Sequence, residues 1–496
     1  MNGWSEEHTI RVIFIIVALF LMLGCVFSLP SNFPHFEKYL QRDGSDIMIS
    51  AYACIGVCLF VYLLCAYLIC KNIDDFRYTI LFLLLGLLFL KTYFLENVIA
   101  LSLWSLEGKS FIDFPSFYYV AKEAVRGSNM YDYSHIRSLV HQESSLPIYP
   151  FLYHPFAIAI FIPLTKVKYF IAQNIILAIN HALIPAIFYL SYRAIKIFRE
   201  NRTIYVCIAC ISLLKYYPLR ENFDHGQVNI FVLFGIVSAY YFFKKKRDFL
   251  CSVCLVFSII LKQVPIIFIL YFMFLKRWRI VYYTLGLLVI LTILCIPLFG
   301  TETLRSYAHL IRSCGYTEEV TNLCSPAHVA SNSLNSFFTR LFVPNMITNP
   351  PFKNTSIGKI LCYISSLVIL LLTFVSNRED AKPREEVLDT RFNLLLAALF
   401  LVSPLGWEHH LVILFIPCVY IFVSALSLGW EDKKGFIGLS LLALILISYK
   451  INVYPPDIMK SGIFVLLISL KFYGALVLWG LLYHIQGVYT QEKSLD

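Results

Sequence analysis

Residues 229–247 read NIFVLFGIVSAYYFFKKKR, an apolar run that ends in Lys244-Lys245-Lys246-Arg247. The pattern repeats further on, where a second apolar stretch closes on Lys276-Arg277-Trp278-Arg279. Bases clustered at the ends of apolar runs are the signature of membrane helices, whose cytoplasmic flanks collect Lys and Arg. The whole composition agrees. Of 496 residues, 59% are hydrophobic and only 15% are charged, against about 45–50% and about 25% in a soluble domain. A single soluble core stops growing near ~250–300 residues, so this apolar excess cannot all be core. The composition excludes a disordered chain, a coiled coil and a water-soluble enzyme. Aromatics at 16% suit membrane interfaces. The net charge, 41 − 31 = +10, is explained by the flanking clusters, and no nucleic-acid partner is expected.

Apolar segments fall near 10–29, 48–70, 79–103, 151–165, 169–192, 203–219, 229–243, 248–262, 265–275, 280–299, 357–375, 392–404, 410–428, 436–450 and 461–484. Backbone groups in lipid must be satisfied within the segment, so these are read as helices, about 13 to 15 in all. Strict two-residue alternation is absent, which argues against a barrel. The run at 10–29 is read as a retained helix rather than a signal peptide, because no small-residue cleavage site follows it. The expected fold is an all-α polytopic membrane protein, with outer-face loops carrying short amphipathic helices. It divides into an amino-terminal hairpin (1–78), a core (79–299) with a first outer loop (104–150), a second outer loop (300–356) and carboxy-terminal helices (357–496).

Charge orients the segments. The clusters at 193–202, 244–247 and 276–279 and the mixed-charge loop 376–391 are expected on the cytoplasmic side. If 151–165 and 169–192 both crossed, the bases at 193–202 would fall on the wrong side. The first is therefore expected to be re-entrant or partial, as its Tyr-His-Pro start and Pro163 suggest. Segments 248–262 and 265–275 read as half-length helices that turn at Lys262-Gln263-Val264-Pro265.

Cysteine occurs 14 times. The C-x-x-C pairs Cys207/Cys210 and Cys251/Cys254 lie inside apolar runs and are read as buried thiols rather than zinc ligands. Cys314 and Cys324 share a polar loop, where a disulfide is expected if the loop faces an oxidising compartment.

Ionisable residues among membrane segments are costly and mark functional sites by default. Asp113 lies among aromatics in Phe111-Ile112-Asp113-Phe114-Pro115-Ser116-Phe117-Tyr118-Tyr119. It suits either a general base for a hydroxyl or a helix N-cap. Tyr149-Pro150-Phe151-Leu152-Tyr153-His154-Pro155 is an interfacial turn or anchor. In Asn222-Phe223-Asp224-His225-Gly226-Gln227-Val228-Asn229, Gln227 and Asn229 offer directional hydrogen bonds, or the stretch is a capped helix start. Lys262 is placed to meet an anionic phosphate, or to snorkel. Ser403-Pro404-Leu405-Gly406-Trp407-Glu408-His409-His410 puts adjacent imidazoles, about 100° apart on a helix, beside a glutamate. Hydrogen bonding to a phosphate or sugar is the more economical reading of that pair than a shared metal ion. No phosphate-binding Gly-rich loop and no Asp-x-Asp pair in the outer loops is present, so neither nucleotide cofactor nor catalytic metal is expected.

In this order, the stretches resemble glycosyltransferase family 87 of the GT-C superfamily, whose members use polyprenyl-phosphate sugars. The resemblance rests on Asp113-Phe114, Tyr118-Tyr119, Gly127, Tyr131, Phe151-Leu152-Tyr153-His154-Pro155, Gly226-Gln227-Val228-Asn229, Lys262 with Pro265, Arg277-Trp278-Arg279, Asn332-Ser333-Leu334-Asn335-Ser336 with Arg340, and Ser403-Pro404 with Trp407 and His409-His410. His154 stands where the family has the first proline of a Pro-Pro pair. The resemblance implies a metal-independent hexosyltransferase of the cell membrane, with its active site on the outer face. It implies transfer of a hexose, mannose in the best-known cases, from a polyprenyl-phosphate donor to a lipid or glycan acceptor with inversion. Asp113 would be the catalytic base. Lys262, His409 and His410 would meet the donor phosphate. Tyr118, Tyr119, Tyr153, Gln227, Asn229 and Trp407 would contact or shape the pocket for sugar and acceptor. Membrane lipids would surround the helices, and no cofactor is required. A transporter or flippase of lipid-linked sugars and a ligase of lipid-linked glycans are the competing readings.

Overall fold

The computed structural model describes residues 45–70, 89–313, 325–375, 384–427, 433–450 and 454–491. The expected helix at 10–29 and the Cys314/Cys324 pair lie outside these residues.

The long apolar runs fold as helices, as a chain in hydrocarbon must. The first described helix, α1, spans Ser45–Cys70. Next comes α2, wound with a wider turn over Phe89–Ile99 and continuing as Ala100–Trp104. Two short helices follow, α3 (Phe114–Val125) and α4 (Tyr133–Glu143). The 151–165 segment forms no long helix. It folds as tight 3-10 turns, Pro155–Ile160 and Ile162–Lys166, consistent with proline interrupting the backbone ladder. Then come α5 (Tyr169–Ala194), α6 (Lys196–Glu200), α7 (Arg202–Lys215), α8 (Tyr217–His225) and α9 (Asn229–Lys244). The half-length pair is α10 (Asp248–Leu261) and α11 (Ile267–Phe274), followed by α12 (Trp278–Phe299). The next loop carries α13 (Thr301–Ser313) and α14 (Leu334–Phe342). The chain closes with α15 (Thr355–Val375), α16 (Glu385–Leu401), a 3-10 turn Glu408–Leu414 leading into α17 (Phe415–Ser427), α18 (Lys433–Ser448), a 3-10 stretch Gly462–Ser469, and α19 (Leu470–Gln491).

The protein is an all-α polytopic membrane protein. Among the described residues, 5 helices are long and apolar enough to cross a membrane, or 6 if α8 and α9 form one bent span. That is fewer than the 13 to 15 helices read from hydropathy. Five further apolar helices contribute described stretches of 10–17 residues, and the expected helix at 10–29 lies outside the described residues. Helix α8 carries Arg220, Glu221, Asp224 and His225 and meets α9 at 118°. We therefore read α9 as the spanning element and α8 as lying outside it.

Burial separates centre from periphery. Helix α17 is buried almost all round, from Phe415 to Ala425. Helix α12 instead exposes Tyr282, Val289 and Ile293, as a lipid-facing helix does. Helices α9 and α10 pack closely because Gly235 has no side chain: a Cβ there would lie 2.2 Å from Ser258 Oγ. Small residues at such crossings let backbones approach.

The packing sets the two ends of α9 apart. At its carboxy-terminal end, Lys244 Nζ lies 3.0 Å from Asp389 Oδ1. Arg199 meets Glu385 at 2.7 Å, and Lys196 pairs with Glu386. Arg277 lies over the Phe243 ring at 5.5 Å. The basic clusters thus gather at one end of α9. Its amino-terminal end meets the turn 225–228, where the polar stretches converge.

Candidate active site

Asp113 sits at the N-cap position of α3, with a proline at the start of the helix, but its side chain makes no capping bond. The carboxylate turns away to the loop between α8 and α9. His225 Nδ1 donates to Asp113 Oδ2 at 2.8 Å, and Gln227 Nε2 donates to the same oxygen at 2.9 Å. Backbone pairing holds the two stretches in register: Ile112 N donates to Asp224 O at 3.1 Å and Asp113 N to His225 O at 2.9 Å. Asp113 Oδ1 takes no hydrogen bond among the described residues.

Gly226 makes this approach possible. It ends α8 in the left-handed region at φ 63°, which favours glycine. A Cβ there would lie 2.7 Å from Phe114 Cβ and 2.8 Å from Phe111 Cδ2. The next side chain is braced from behind: Asn229 Nδ2 donates to Asn222 Oδ1, and Asn222 Nδ2 donates to Gln227 O.

From Asp113 the contacts run in a closed circuit. Gln227 Oε1 accepts from Tyr153 Oη at 3.2 Å. Lys262 Nζ lies 5.2 Å from the centre of the Tyr153 ring and 2.8 Å from His410 Nε2. The His410 and His409 rings meet at 4.7 Å, and His409 meets His225 at 4.9 Å. His225 closes the circuit on Asp113. His410 Nδ1 lies 2.9 Å from Leu405 O, a carbonyl that can only accept. This fixes the proton on Nδ1 and leaves Nε2 to accept from the Lys262 ammonium.

Trp407 backs the circuit, its ring parallel to that of His409 at 6.4 Å. His328 also lies against the Trp407 ring, at 4.9 Å. The loop bearing His328 is pinned by Arg340, a fully buried guanidinium that donates to the carbonyls of Ala327 and His328 and to Ser469 Oγ. Asn332 N donates to Gly406 O at 2.7 Å, and Asn335 Nδ2 to Pro404 O at 2.7 Å. The Asn332–Ser336 stretch therefore holds the Ser403–Trp407 stretch in place.

The circuit brings together Asp113, Tyr153, Gln227, Lys262, His409 and His410 among the expected site residues. The other expected residues play different local parts. Tyr118 Oη donates to Val167 O at 2.7 Å, and Tyr119 stacks on Tyr169 at 6.2 Å. Both build the wall behind Phe114. Asn229 braces the turn, and Trp407 backs His409. His154 caps the first 3-10 turn through Phe156 N and meets Thr292 Oγ1 at 3.1 Å. Its burial pushes the imidazole down to about 4, so it serves as a neutral turn residue.

Sequence reading missed His225 and Glu221. Glu221 Oε2 lies 3.2 Å from His225 Nε2, one helical turn away. Burial alone would disfavour the charged imidazole, but carboxylates on both ring nitrogens outweigh it and raise His225 to about 10. The i,i+4 spacing on a short helix was the available signal. Lys471 and Glu408 were also missed. They form a buried pair at 2.5 Å next to the imidazole stretch, and a lone lysine inside the run at 461–484 was the clue.

One grouping among the described residues is close enough to hold a metal ion: potential ligand atoms of Asp113, His225 and His409 lie within 4.8 Å of one another. Ligation would require His225 to give up a proton and its bond to Asp113 or Glu221.

The family model of glycosyltransferase family 87 matches residues 151–404, just over half of the 496 residues. No curated protein and no solved structure matches the chain. The match covers Tyr153, Gln227, Lys262 and the start of the Ser403-Pro404 stretch, while Asp113 precedes it. Together with the all-α membrane fold, it shows that this chain belongs to glycosyltransferase family 87.

Proposed function

We propose that this membrane glycosyltransferase moves a hexose, with mannose the first candidate, from a polyprenyl-phosphate donor to a hydroxyl of a lipid or glycan acceptor, with inversion and without a metal. The observation that carries the proposal is the carboxylate of Asp113. One oxygen is held by His225 and Gln227, and the other accepts no hydrogen bond among the described residues. A general base needs one oxygen oriented and one open to the proton it takes.

Asp113 Oδ1 takes the proton of the acceptor hydroxyl as the hydroxyl oxygen attacks the anomeric carbon. The bond from that carbon to the donor phosphate breaks on the opposite side. Charge building on the departing phosphate is met by Lys262, held by His410, and by the neighbouring His409. Gln227 and Tyr153 frame the sugar, Trp407 backs His409, and Tyr118, Tyr119 and Asn229 support the wall and the turn. An apolar groove between helices receives the polyprenyl tail, and membrane lipids surround the remainder. The separation of the basic clusters from this site along α9 supports a site on the outer face of the cell membrane, by the positive-inside bias.

The test incubates purified full-length protein in vesicles with polyprenyl-phosphate hexoses and a mixed lipid acceptor, with and without EDTA, and identifies products by mass spectrometry. A hexosylated product with released polyprenyl phosphate in both arms is expected. Donor crossing the bilayer without product would establish the transport reading, and release of whole glycans onto an acceptor the ligase reading. Product lost with EDTA and restored by a divalent cation would turn the Asp113–His225–His409 grouping into a metal centre.

A further inference from the structure

The buried pair of Lys471 and Glu408 has no part in the chemistry so far. Lys471 stands at the start of α19, within Gly462–Tyr489, a stretch long and apolar enough to cross a membrane, and it is fully buried. An ionisable residue in such a segment is costly and marks a functional position by default. Its ammonium lies 2.5 Å from Glu408 Oε1 and donates to Ile447 O at 2.8 Å. It sits over the rings of Tyr449 and Tyr217, at 5.1 and 5.7 Å. A buried ion pair is weak evidence for stability, because apolar residues of similar volume commonly do as well. A pair that fixes geometry, by contrast, needs the length and direction of both side chains.

The partners of Lys471 lead to both halves of the site. Glu408 immediately precedes His409 and His410 and opens the 3-10 turn that carries them. Tyr217 opens α8, and exposed Lys450 lies 5.8 Å from the same ring. One turn further along α8, Glu221 also acts electrostatically on the Lys471 ammonium and meets His225 Nε2 at 3.2 Å. The two halves touch where the His225 and His409 rings meet, at 4.9 Å. Two residues before Lys471, Ser469 Oγ accepts from Arg340, which pins the loop that sets His328 against Trp407. The start of α19 is thus tied to the imidazole turn, to α8 and to the loop beside Trp407.

We propose that Lys471 is a positioning residue: through Glu408 it sets the 3-10 turn so that His409 keeps its place against His225, and His410 its place against Lys262. The consequence for transfer rests on the hexosyltransferase reading; the placement of the imidazoles does not.

Lys471→Met combined with Glu408→Gln tests it, because removing both charges together orphans neither. In the full-length protein, kcat for hexosyl transfer is expected to fall about 10- to 100-fold with donor KM within about twofold, since misplacement by about 1 Å acts on the reacting geometry. Thermal stability is expected to stay near wild type. Glu408→Asp keeps the pair and shortens one arm. Its kcat is expected to fall about tenfold with KM unmoved, and it decides alone if the double variant does not fold. In protein carrying isotope-labelled histidine, the ring signals of His225, His409 and His410, assigned by single substitutions, are expected to move in both variants while the other imidazoles keep theirs. Wild-type kcat in either folded variant, an effect on KM alone, or unmoved ring signals would overturn the proposal. Absence of transfer by the wild type would sink the transferase reading, and the ring signals would then decide the placement by themselves.

Discussion

Two aspartates at opposite ends of α9 are held by similar partners to different ends. Asp389, at the basic end, is 1% exposed and has both oxygens occupied: Tyr240 Oη at 2.5 Å and Lys244 Nζ at 3.0 Å on Oδ1, and Lys196 N at 2.6 Å on Oδ2. Asp113 places both of its bonds on one oxygen. The first carboxylate is a strut, spending all its capacity on tying α6, α9 and α16 together. The second is anchored and still available. A buried acid near a base is therefore not a site in itself; what matters is whether an oxygen remains for a substrate.

The largest expected effect separates the two. Asp113→Asn keeps the shape and removes the proton acceptor, so hexosyl transfer is expected to fall by about 10²–10⁴-fold, the usual worth of general base catalysis. Asp389→Asn is expected to leave turnover per folded molecule within a few-fold, while costing about 1–3 kcal/mol of stability by weakening the bonds from Tyr240, Lys244 and Lys196 N. Turnover normalised to the monodisperse fraction on size exclusion measures both. Equal losses of turnover would erase the distinction between strut and base.

Lys262→Met comes next. It removes the ammonium proposed to meet the leaving phosphate while retaining much of the stem, and turnover is expected to drop by about 10²–10³-fold, as for loss of one charge-stabilising donor. A drop confined to KM would assign Lys262 to ground-state donor binding instead.

The fold was legible because one constraint dominates it. Hydrocarbon forces apolar runs such as 229–243 into helices, and the flanking bases mark their ends. The half-length pair that turns at Lys262 and the non-spanning 151–165 stretch followed from proline and from charge balance. The site was legible in its pieces but not in its wiring. Asp113 and Gln227 are far apart in sequence, and only the left-handed turn at Gly226 brings them into contact. His225 stayed hidden because its role depends on carboxylates from two elements, one of them beyond local pattern. Hydropathy measures apolarity and not where a helix stops. The stretch at 203–219 breaks after Lys215, and α8 turns away.

A pH experiment sharpens the contrast through His225. Its folded value, about 10, lies above the ordinary ~6.5. The group therefore contributes stability fully present below about pH 6.5 and lost as pH rises through about 10. Wild-type thermal stability is expected to decline between about pH 6.5 and 10 relative to His225→Gln, which has no imidazole to titrate. Turnover of His225→Gln is expected to fall about 10- to 100-fold, because the carboxylate loses one of its two anchors and misplacement is costly. Parallel pH–stability curves would show that the imidazole is not held as a cation.

The smallest expected effect probes the strut alone. Tyr240→Phe removes the hydroxyl on Asp389 Oδ1 but keeps the ring, which stacks on Phe392 at 4.0 Å. The same oxygen still receives Lys244, and Lys196 N still satisfies Oδ2, so no buried charge is orphaned. The expected cost is about 1 kcal/mol, near the net worth of a hydrogen bond, with turnover unchanged. Unfolding followed by tryptophan fluorescence measures the first and product formation the second. If this variant slowed transfer as well, the two ends of α9 would be coupled, and the basic end would have to be counted among the elements that position the catalytic turn.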